Sequence, residues 1–488
     1  MEKIIVRMPP SPTGFLHLGT ARTALFNYLF AKRNGGEIIF RWEDTDRERS
    51  KVEFETEILD GLKWLGMDFE RESSHFFRQT ENTPKHQAAL KKLWKEEKIF
   101  PCFLTSKEIN ILREEAQKKK INFVFWSPFR NYDKESLQKM MDENMPFVWR
   151  LRVPQERVIV FQDLVRGKIS VNTKTIGDFV VARNDGSVLY LLANVLDDVD
   201  GAITHIIRGE DGLPNTPKQV LLFEALGKLL PQYAHIPLVL DSQNRKLSKR
   251  NVEPGICVLV RDFQEAGFLP EGVINGLAFL GWNPKTTEEI FSLSELEKIF
   301  DLKNVNSAAA RYDFGKMEWF NAQWMRKIET EKLKVDFLFW NNQFGAIKNK
   351  KYESIEPRKF LKALDLVREK AKTLKELESE LEYLLFPVEA KPSLLENEKM
   401  NINQALVTKV LFEIEDMLKS LSQEEFTREI LREKAIERIT ALKLKNGQFL
   451  WPFRVALSGR QKSASPFEIA EILGKKETLE RIKRQEGG

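Results

Sequence analysis

At 488 residues the chain is too long for one compact core, and its length predicts roughly three to five folded domains. With 42% apolar and 31% charged residues, and with Glu224 and Lys228 interrupting the longest apolar candidate, Val220 to Leu240, both wholesale disorder and a membrane-spanning helix are excluded. The formal net charge of +5 is unevenly placed: Lys and Arg match Asp and Glu at 45 each over residues 1–322 but reach 32 against 27 over residues 323–488, a weak sign of a polyanionic partner in the last third.

Met1-Glu2-Lys3 passes straight into Ile4-Ile5-Val6, a strand pattern, so no signal peptide and no membrane partner are expected and the cytoplasm is the expected location. The Pro-rich turn Pro9 to Gly14 follows, then a helix pattern from Leu18 to about Lys32, stopped by Asn34-Gly35-Gly36. Ile38 to Trp42 is the next strand, ending in Glu43-Asp44-Thr45-Asp46. This βαβ unit predicts a parallel sheet with ligands outside the carboxyl ends of its strands. Further helices are predicted at Val52 to Trp64 and Pro84 to Lys98. From Thr105 the texture changes to a charged helix, an aromatic patch at Phe123 to Phe129, and β-rich stretches at Phe147 to Val153 and Val158 to Val171, together an inserted α+β subdomain.

Strand signals return at Val188 to Ala193 and Ala202 to Ile207, and Asn215-Thr216-Pro217 reads as a capped helix start. Helices are predicted at Pro270 to Leu280, Leu293 to Phe300 and over most of residues 324–488, with Leu361 to Tyr383 as one amphipathic helix. The fold class is therefore α/β: a Rossmann-like doubly wound parallel sheet with an α+β insertion, followed by an all-α region. Cys102 and Cys257 are the only cysteines, so neither a disulfide framework nor a cysteine-rich zinc site is expected.

Two short motifs carry the chemistry. His17-Leu18-Gly19-Thr20 opens a helix, where backbone N–H groups and the positive dipole end suit an anion. Lys246-Leu247-Ser248-Lys249-Arg250 supplies mobile ammonium groups. Together they predict a phosphate site built from two distant segments.

These motifs, with Arg7-Met8-Pro9-Pro10-Ser11-Pro12-Thr13-Gly14, Arg41-Trp42-Glu43-Asp44-Thr45-Asp46, Ile207-Arg208-Gly209-Glu210-Asp211 and Asn215-Thr216-Pro217, resemble in order and spacing a bacterial-type glutamyl-tRNA synthetase, a class I aminoacyl-tRNA synthetase. The resemblance extends through Lys316 to Asn321 and Pro452 to Gly459. It implies an ATP-dependent ligase that joins L-glutamate to the 3′ end of tRNA(Glu) through a glutamyl-adenylate, with Mg2+ accompanying ATP and the chain acting as a monomer. His17, Lys246 and Lys249 would be catalytic, and with Gly19, Thr20 and Ser248 would bind ATP. Arg7 and Tyr190 would read the substrate's side-chain carboxylate, Arg208 its α-carboxylate, and Ser11 with Glu43 its ammonium, while Asn194 lines the pocket. Arg41, Asp44 and Asp46 are expected only to cap and pair at the surface.

The implied division is a first catalytic half at 1–75, an insertion at 76–186 that grips the acceptor end, a second half at 187–240, a loop and stem-contact region at 241–322, and an anticodon-binding region at 323–488 split near 386. Arg368, Lys370, Arg454 and Trp451 are candidates to meet anticodon bases. Some relatives hold zinc in the insertion, but this segment has only Cys102 and no histidine between His86 and His205, so no metal ligands are expected. Asn251-Val252-Glu253-Pro254 also departs from the His-Gly-Ala usual after the lysine motif. Four rivals compete. A glutaminyl-tRNA synthetase would end in β-barrels, and a shortened relative that glutamylates a modified tRNA base would lack residues 323–488. A small-molecule nucleotidyltransferase gives no reason for the helical tail, and a noncatalytic tRNA-binding protein none for keeping both phosphate motifs and the two arginines.

Overall fold

The computed structural model describes residues 3–46, 48–69, 75–248 and 252–485, which divide by contacts into two units, residues 1–261 with 274–314 and residues 262–273 with 315–488. In the first unit β1 (Ile5–Met8), helix α1 (Leu18–Arg33) and β2 (Glu37–Trp42) form the expected βαβ unit, with β1 and β2 parallel and Ile5 opposite Glu37. Leu18, Ala21, Leu25 and Leu29 face the core along one side of α1, and Lys32 and Arg33 complement its carboxyl end. Gly35 makes the tight return to β2 at φ +61°, a conformation that favours glycine.

Helix α2 (Val52–Trp64) leads to β3 (Phe76–Arg78), which extends the parallel sheet beyond β2. After α3 (Thr83–Lys95) come β4 (Ile99–Cys102), α4 (Ser106–Lys118), α5 (Lys134–Asp142), β5 (Val148–Leu151), β6 (Val158–Asp163), β7 (Gly167–Asn172) and β8 (Val180–Arg183). Strands β4, β5 and β8 make a small antiparallel sheet of their own, with Phe100, Cys102, Phe103 and Leu137 buried together. The β6–β7 hairpin behaves differently from expectation. The sequence pattern places it in the inserted subdomain, whereas β6 pairs with a main-sheet strand, Asp163 opposite Tyr233.

That partner is reached through α6 (Tyr190–Asp200), β9 (His205–Gly209), α7 (Thr216–Ala225) and β10 (Gln232–Ile236). The segment Val188 to Ala193, predicted as a strand, instead enters α6, and only Val188 makes a bridge, to Ala182. Its apolar run fits either period, and the helix buries Leu192, Ala193, Asn194, Val195, Asp197 and Asp198, more of its length than a half-buried strand would. Asn215 makes no side-chain cap, because a 3-10 turn, Glu210–Asn215, runs directly into α7. Strand β9 lies beside β1, where the Thr204 N–H donates to the Ile5 carbonyl at 2.9 Å and the Ile5 N–H donates to Thr204 Oγ1 at 2.8 Å. Chain direction across the sheet thus switches between β1 and β9, the place where an open sheet leaves a ligand crevice.

The second unit is helical: among the described residues no β-strand follows Arg311. The stretch Leu361 to Tyr383 is two helices, Pro357–Val367 and Leu374–Leu385, rather than one. Thr373 caps the second by accepting from the Glu376 N–H at 3.2 Å, a Ser/Thr-x-x-Glu start that outweighs the apolar spacing across it. Among the described residues no helix is long and apolar enough to cross a membrane.

Candidate active site

A cavity of about 500 Å³ opens at the carboxyl ends of β1 and β9, and its walls include Arg7, His17, Gly19, Thr20, Arg208, Lys246 and Ser248. Sequence segments two hundred residues apart, such as Arg7 and the Ile207 carbonyl it donates to, meet here because the switch point places β1 next to β9. His17 is the N-cap of α1, and its Nδ1 accepts from the Gly19 N–H at 3.1 Å. A neutral ring therefore carries its proton on Nε2, and the helix start keeps its positive character toward the cavity.

Lys246 follows a tight turn in which Asp241 accepts from the Gln243 and Arg245 N–H groups at 2.8 and 2.9 Å. Its ammonium pairs with Asp211 at 2.9 Å, an exposed contact that costs little to exchange for a phosphate. Lys249, Arg250 and Asn251 lie outside the described residues. Sequence reasoning overlooked Arg22, which also lines the cavity. It donates to the Leu280 carbonyl at 2.9 Å and to the Pro237 carbonyl, and burial lowers its pKa to about 10.

The two arginines are set in place by buried partners. Arg7 is 2% exposed, lies 3.6 Å from Asp198, and donates to the Ile207 carbonyl at 3.4 Å. Burial lowers its pKa against the raising effect of Asp198. Arg208 donates through Nη2 to the Gly212 carbonyl at 3.1 Å, Thr216 Oγ1 at 2.8 Å and Gln219 Oε1 at 2.7 Å. Gln219 in turn donates to Asn194 Oδ1 at 3.1 Å, and Asn194 donates to Glu43 Oε1 at 2.5 Å. A continuous polar chain thus joins α7, α6 and the end of β2.

Glu43 stands just beyond β2, buried, and its N–H donates to the Pro10 carbonyl at 3.0 Å, which sets it against the turn that carries the exposed Ser11. Burial raises its pKa, opposed by Arg41 at 3.0 Å. Tyr190 begins α6 with 46% of its surface exposed, and its phenol is raised by desolvation and by the nearby Glu43 charge. Ser11, Glu43, Tyr190 and Asn194 are not part of the cavity wall itself; Asn194 and Glu43 connect to Arg208 through Gln219.

Arg41 and Asp44 do not pair at the surface as expected. Arg41 is fully buried, bonded to Asp198 at 2.8 Å as well as to Glu43, and Asp44 accepts from the Thr80 N–H and hydroxyl at 3.0 and 2.8 Å. Asp46 does pair at the surface, with Arg49 at 2.6 Å.

In the helical unit Arg368 is a correction. Only 7% exposed, it donates to the carbonyls of Met325 at 2.9 Å, Arg326 at 2.9 Å and Ile328, so its guanidinium is spent on the fold and has no edge left for a base. Lys370 is exposed beside Lys462 in a shallow hollow. Arg454 packs its guanidinium 5.2 Å from the Trp451 ring, while the Trp451 indole N–H donates to the Leu394 carbonyl at 3.0 Å.

Comparison with known proteins gives consistent matches. Residues 3–319 match the family model described as tRNA synthetases class I (E and Q), catalytic domain, and residues 332–485 match an anticodon binding domain. The chain is 38% identical to a glutamate--tRNA ligase of Aquifex aeolicus over 99% of both chains. It is 37% identical to glutamate--tRNA ligase 2 of Thermoanaerobacter pseudethanolicus, over 99% of this chain and 98% of the relative. A crystal structure of a glutamate tRNA ligase from Elizabethkingia meningosepticum in complex with its amino acid superposes with a TM-score of 0.87 at 33% identity, covering 100% of this chain and 99% of that one.

Proposed function

The chain belongs to the glutamate--tRNA ligases among the class I tRNA synthetases, and from that membership we propose how its own residues divide the reaction that attaches glutamate to tRNA(Glu). The observation that carries the reading is the single cavity at the β1–β9 switch point, which both arginines share with both phosphate motifs. Glutamate has two carboxylates and one ammonium. Arg7, with Tyr190, takes the side-chain carboxylate, Arg208 the α-carboxylate, and Glu43 with Ser11 the ammonium, while Asn194 keeps Glu43 in position. An arginine fork suits a carboxylate because it offers two parallel N–H donors.

ATP binds with its phosphates at the start of α1, against His17, Gly19 and Thr20. A glutamate α-carboxylate oxygen attacks the α-phosphorus, the bond to the bridging oxygen breaks, and pyrophosphate leaves with the pair. His17 donates to phosphate oxygens, and Lys246, Ser248 and Lys249 meet the departing charge, with Lys246 exchanging Asp211 for phosphate. Catalysis by this route is positioning and charge stabilisation. The 2′-hydroxyl of the terminal adenosine then attacks the activated carbonyl and AMP leaves, an adenylate phosphate oxygen taking the proton.

Mg2+ enters as the ATP complex. The insertion at 76–186 grips the acceptor end and the region from 323, split near 386, reads the anticodon, with Lys370 and Arg454 as the base-facing cations in place of Arg368.

Pyrophosphate exchange into ATP, run with glutamate and tRNA(Glu), tests this reading. Lys246→Ala is expected to slow exchange by on the order of a hundredfold while tRNA affinity stays within about twofold. Equal losses in both would remove Lys246 from the chemistry.

A further inference from the structure

Behind Arg208 lies a second buried pair. His235, on β10, and Asp163, at the end of β6, are fully enclosed and 2.6 Å apart between Nδ1 and Oδ2. The Asp163 carboxylate also accepts from the N–H groups of Val165 at 3.0 Å, Arg166 at 2.8 Å and His235 itself at 3.1 Å. A carboxylate with that many donors is ionised and acceptor-only. The imidazole proton is therefore on Nδ1, and Nε2 presents a lone pair. Toward that lone pair point Arg208 Nε, at 3.1 Å, and Thr216 Oγ1, at 3.0 Å.

The Tyr233 ring lies parallel to it, centroids 5.8 Å apart at an interplanar angle of 5°. Arg208 consequently has its Nε held by His235 and its Nη2 held by Gly212, Thr216 and Gln219. Among the described residues no protein acceptor is taken by Nη1, and Arg208 borders the cavity.

We infer that Asp163 and His235 are positioning residues for the amino-acid substrate: Asp163 fixes the imidazole tautomer, and the imidazole lone pair fixes the plane of the Arg208 guanidinium so that its Nη1 edge faces the cavity. The inference rests on the reading of Arg208 as the holder of the α-carboxylate. A carboxylate bound to a guanidinium of fixed plane loses less freedom than one bound to a rotating side chain, so the pair acts on glutamate affinity and leaves ATP alone. It also makes the end of β6 part of the amino-acid site.

The test is steady-state aminoacylation of tRNA(Glu) by the full chain carrying His235→Leu, His235→Gln, Asp163→Asn or Arg208→Lys. His235→Leu removes the acceptor and is expected to raise the KM for glutamate about tenfold with the KM for ATP within about twofold. His235→Gln places an amide oxygen before Arg208 Nε and is expected to restore the glutamate KM to within about threefold of wild type. Equal behaviour of the Leu and Gln variants, or a parallel rise in both KM values, would overturn the inference. Should the Leu variant fail to fold, Asp163→Asn, which no longer enforces the Nδ1 proton, is expected to raise the glutamate KM selectively, and an unchanged value would be equally decisive. Arg208→Lys separates the two readings. An unchanged glutamate KM there removes the premise and the inference with it, whereas a raised KM beside unaffected His235 and Asp163 variants removes the inference alone.

Discussion

Gly212 is a glycine because Arg208 occupies the space a side chain would need: a Cβ there would lie 2.6 Å from Arg208 Nε and 2.8 Å from its Cδ. Gly212→Ala should therefore push the guanidinium off its partners and raise the glutamate KM by on the order of tenfold, read by aminoacylation at saturating ATP. An unchanged KM would mean that Arg208 has room to yield. Groups that announce their chemistry by type, Arg7, Arg208, His17 and Lys246, stand out in the sequence because each sits in a short motif, the first three at a strand end or helix start and Lys246 on a charged loop. Asp163 and His235 do not, being 72 residues apart in unremarkable contexts, and only the pairing of β6 with β10 brings them together. Arg41 was misread for a related reason. Its buried partner Asp198 lies 157 residues on, and local sequence offers only nearby surface carboxylates.

At the scale of elements, α6 shows where local pattern runs out. Its first turns are apolar enough for a strand, yet it is a helix that turns Asp197 and Asp198 inward beneath the site. Burial alone would raise the Asp197 carboxyl, but the hydrogen bond from His86, the Arg41 charge and the hydrogen bond from Gln79 outweigh it and hold the group below its ordinary 3.8. A carboxyl depressed on folding stabilises fully above its unfolded value, about pH 4, and that stabilisation is lost as pH falls through the lower folded value. Thermal melts from pH 7 to pH 2 should show the loss beginning below about pH 4. Asp197→Asn should melt lower at pH 7, by on the order of 3 kcal/mol, and show a shallower acid slope. An acid slope identical to wild type would mean that Asp197 is not among the groups that titrate with unfolding. The predicted single helix at 361–383 failed for a simpler reason, since the apolar spacing continues across a break that Thr373 caps and Arg368 ties down.

Over the whole molecule, the class I catalytic model spans the first unit together with residues 262–273 and 315–319 of the second, and the anticodon-binding model spans residues 332–485 of the second. The sequence order of motifs was enough to point to the family that the comparisons show, and the absence of strand patterns after residue 322 separated this chain from relatives that end in β-barrels. The central claim is that the β1–β9 cavity selects glutamate through a buried arginine. It is tested most directly by comparing kcat/KM for glutamate and for glutamine in wild type and Arg7→Ala, measured as transfer of labelled amino acid to tRNA(Glu). The account predicts a strong wild-type preference for glutamate that falls by on the order of a hundredfold in the variant; a preference that survives the loss of Arg7 unchanged would contradict it.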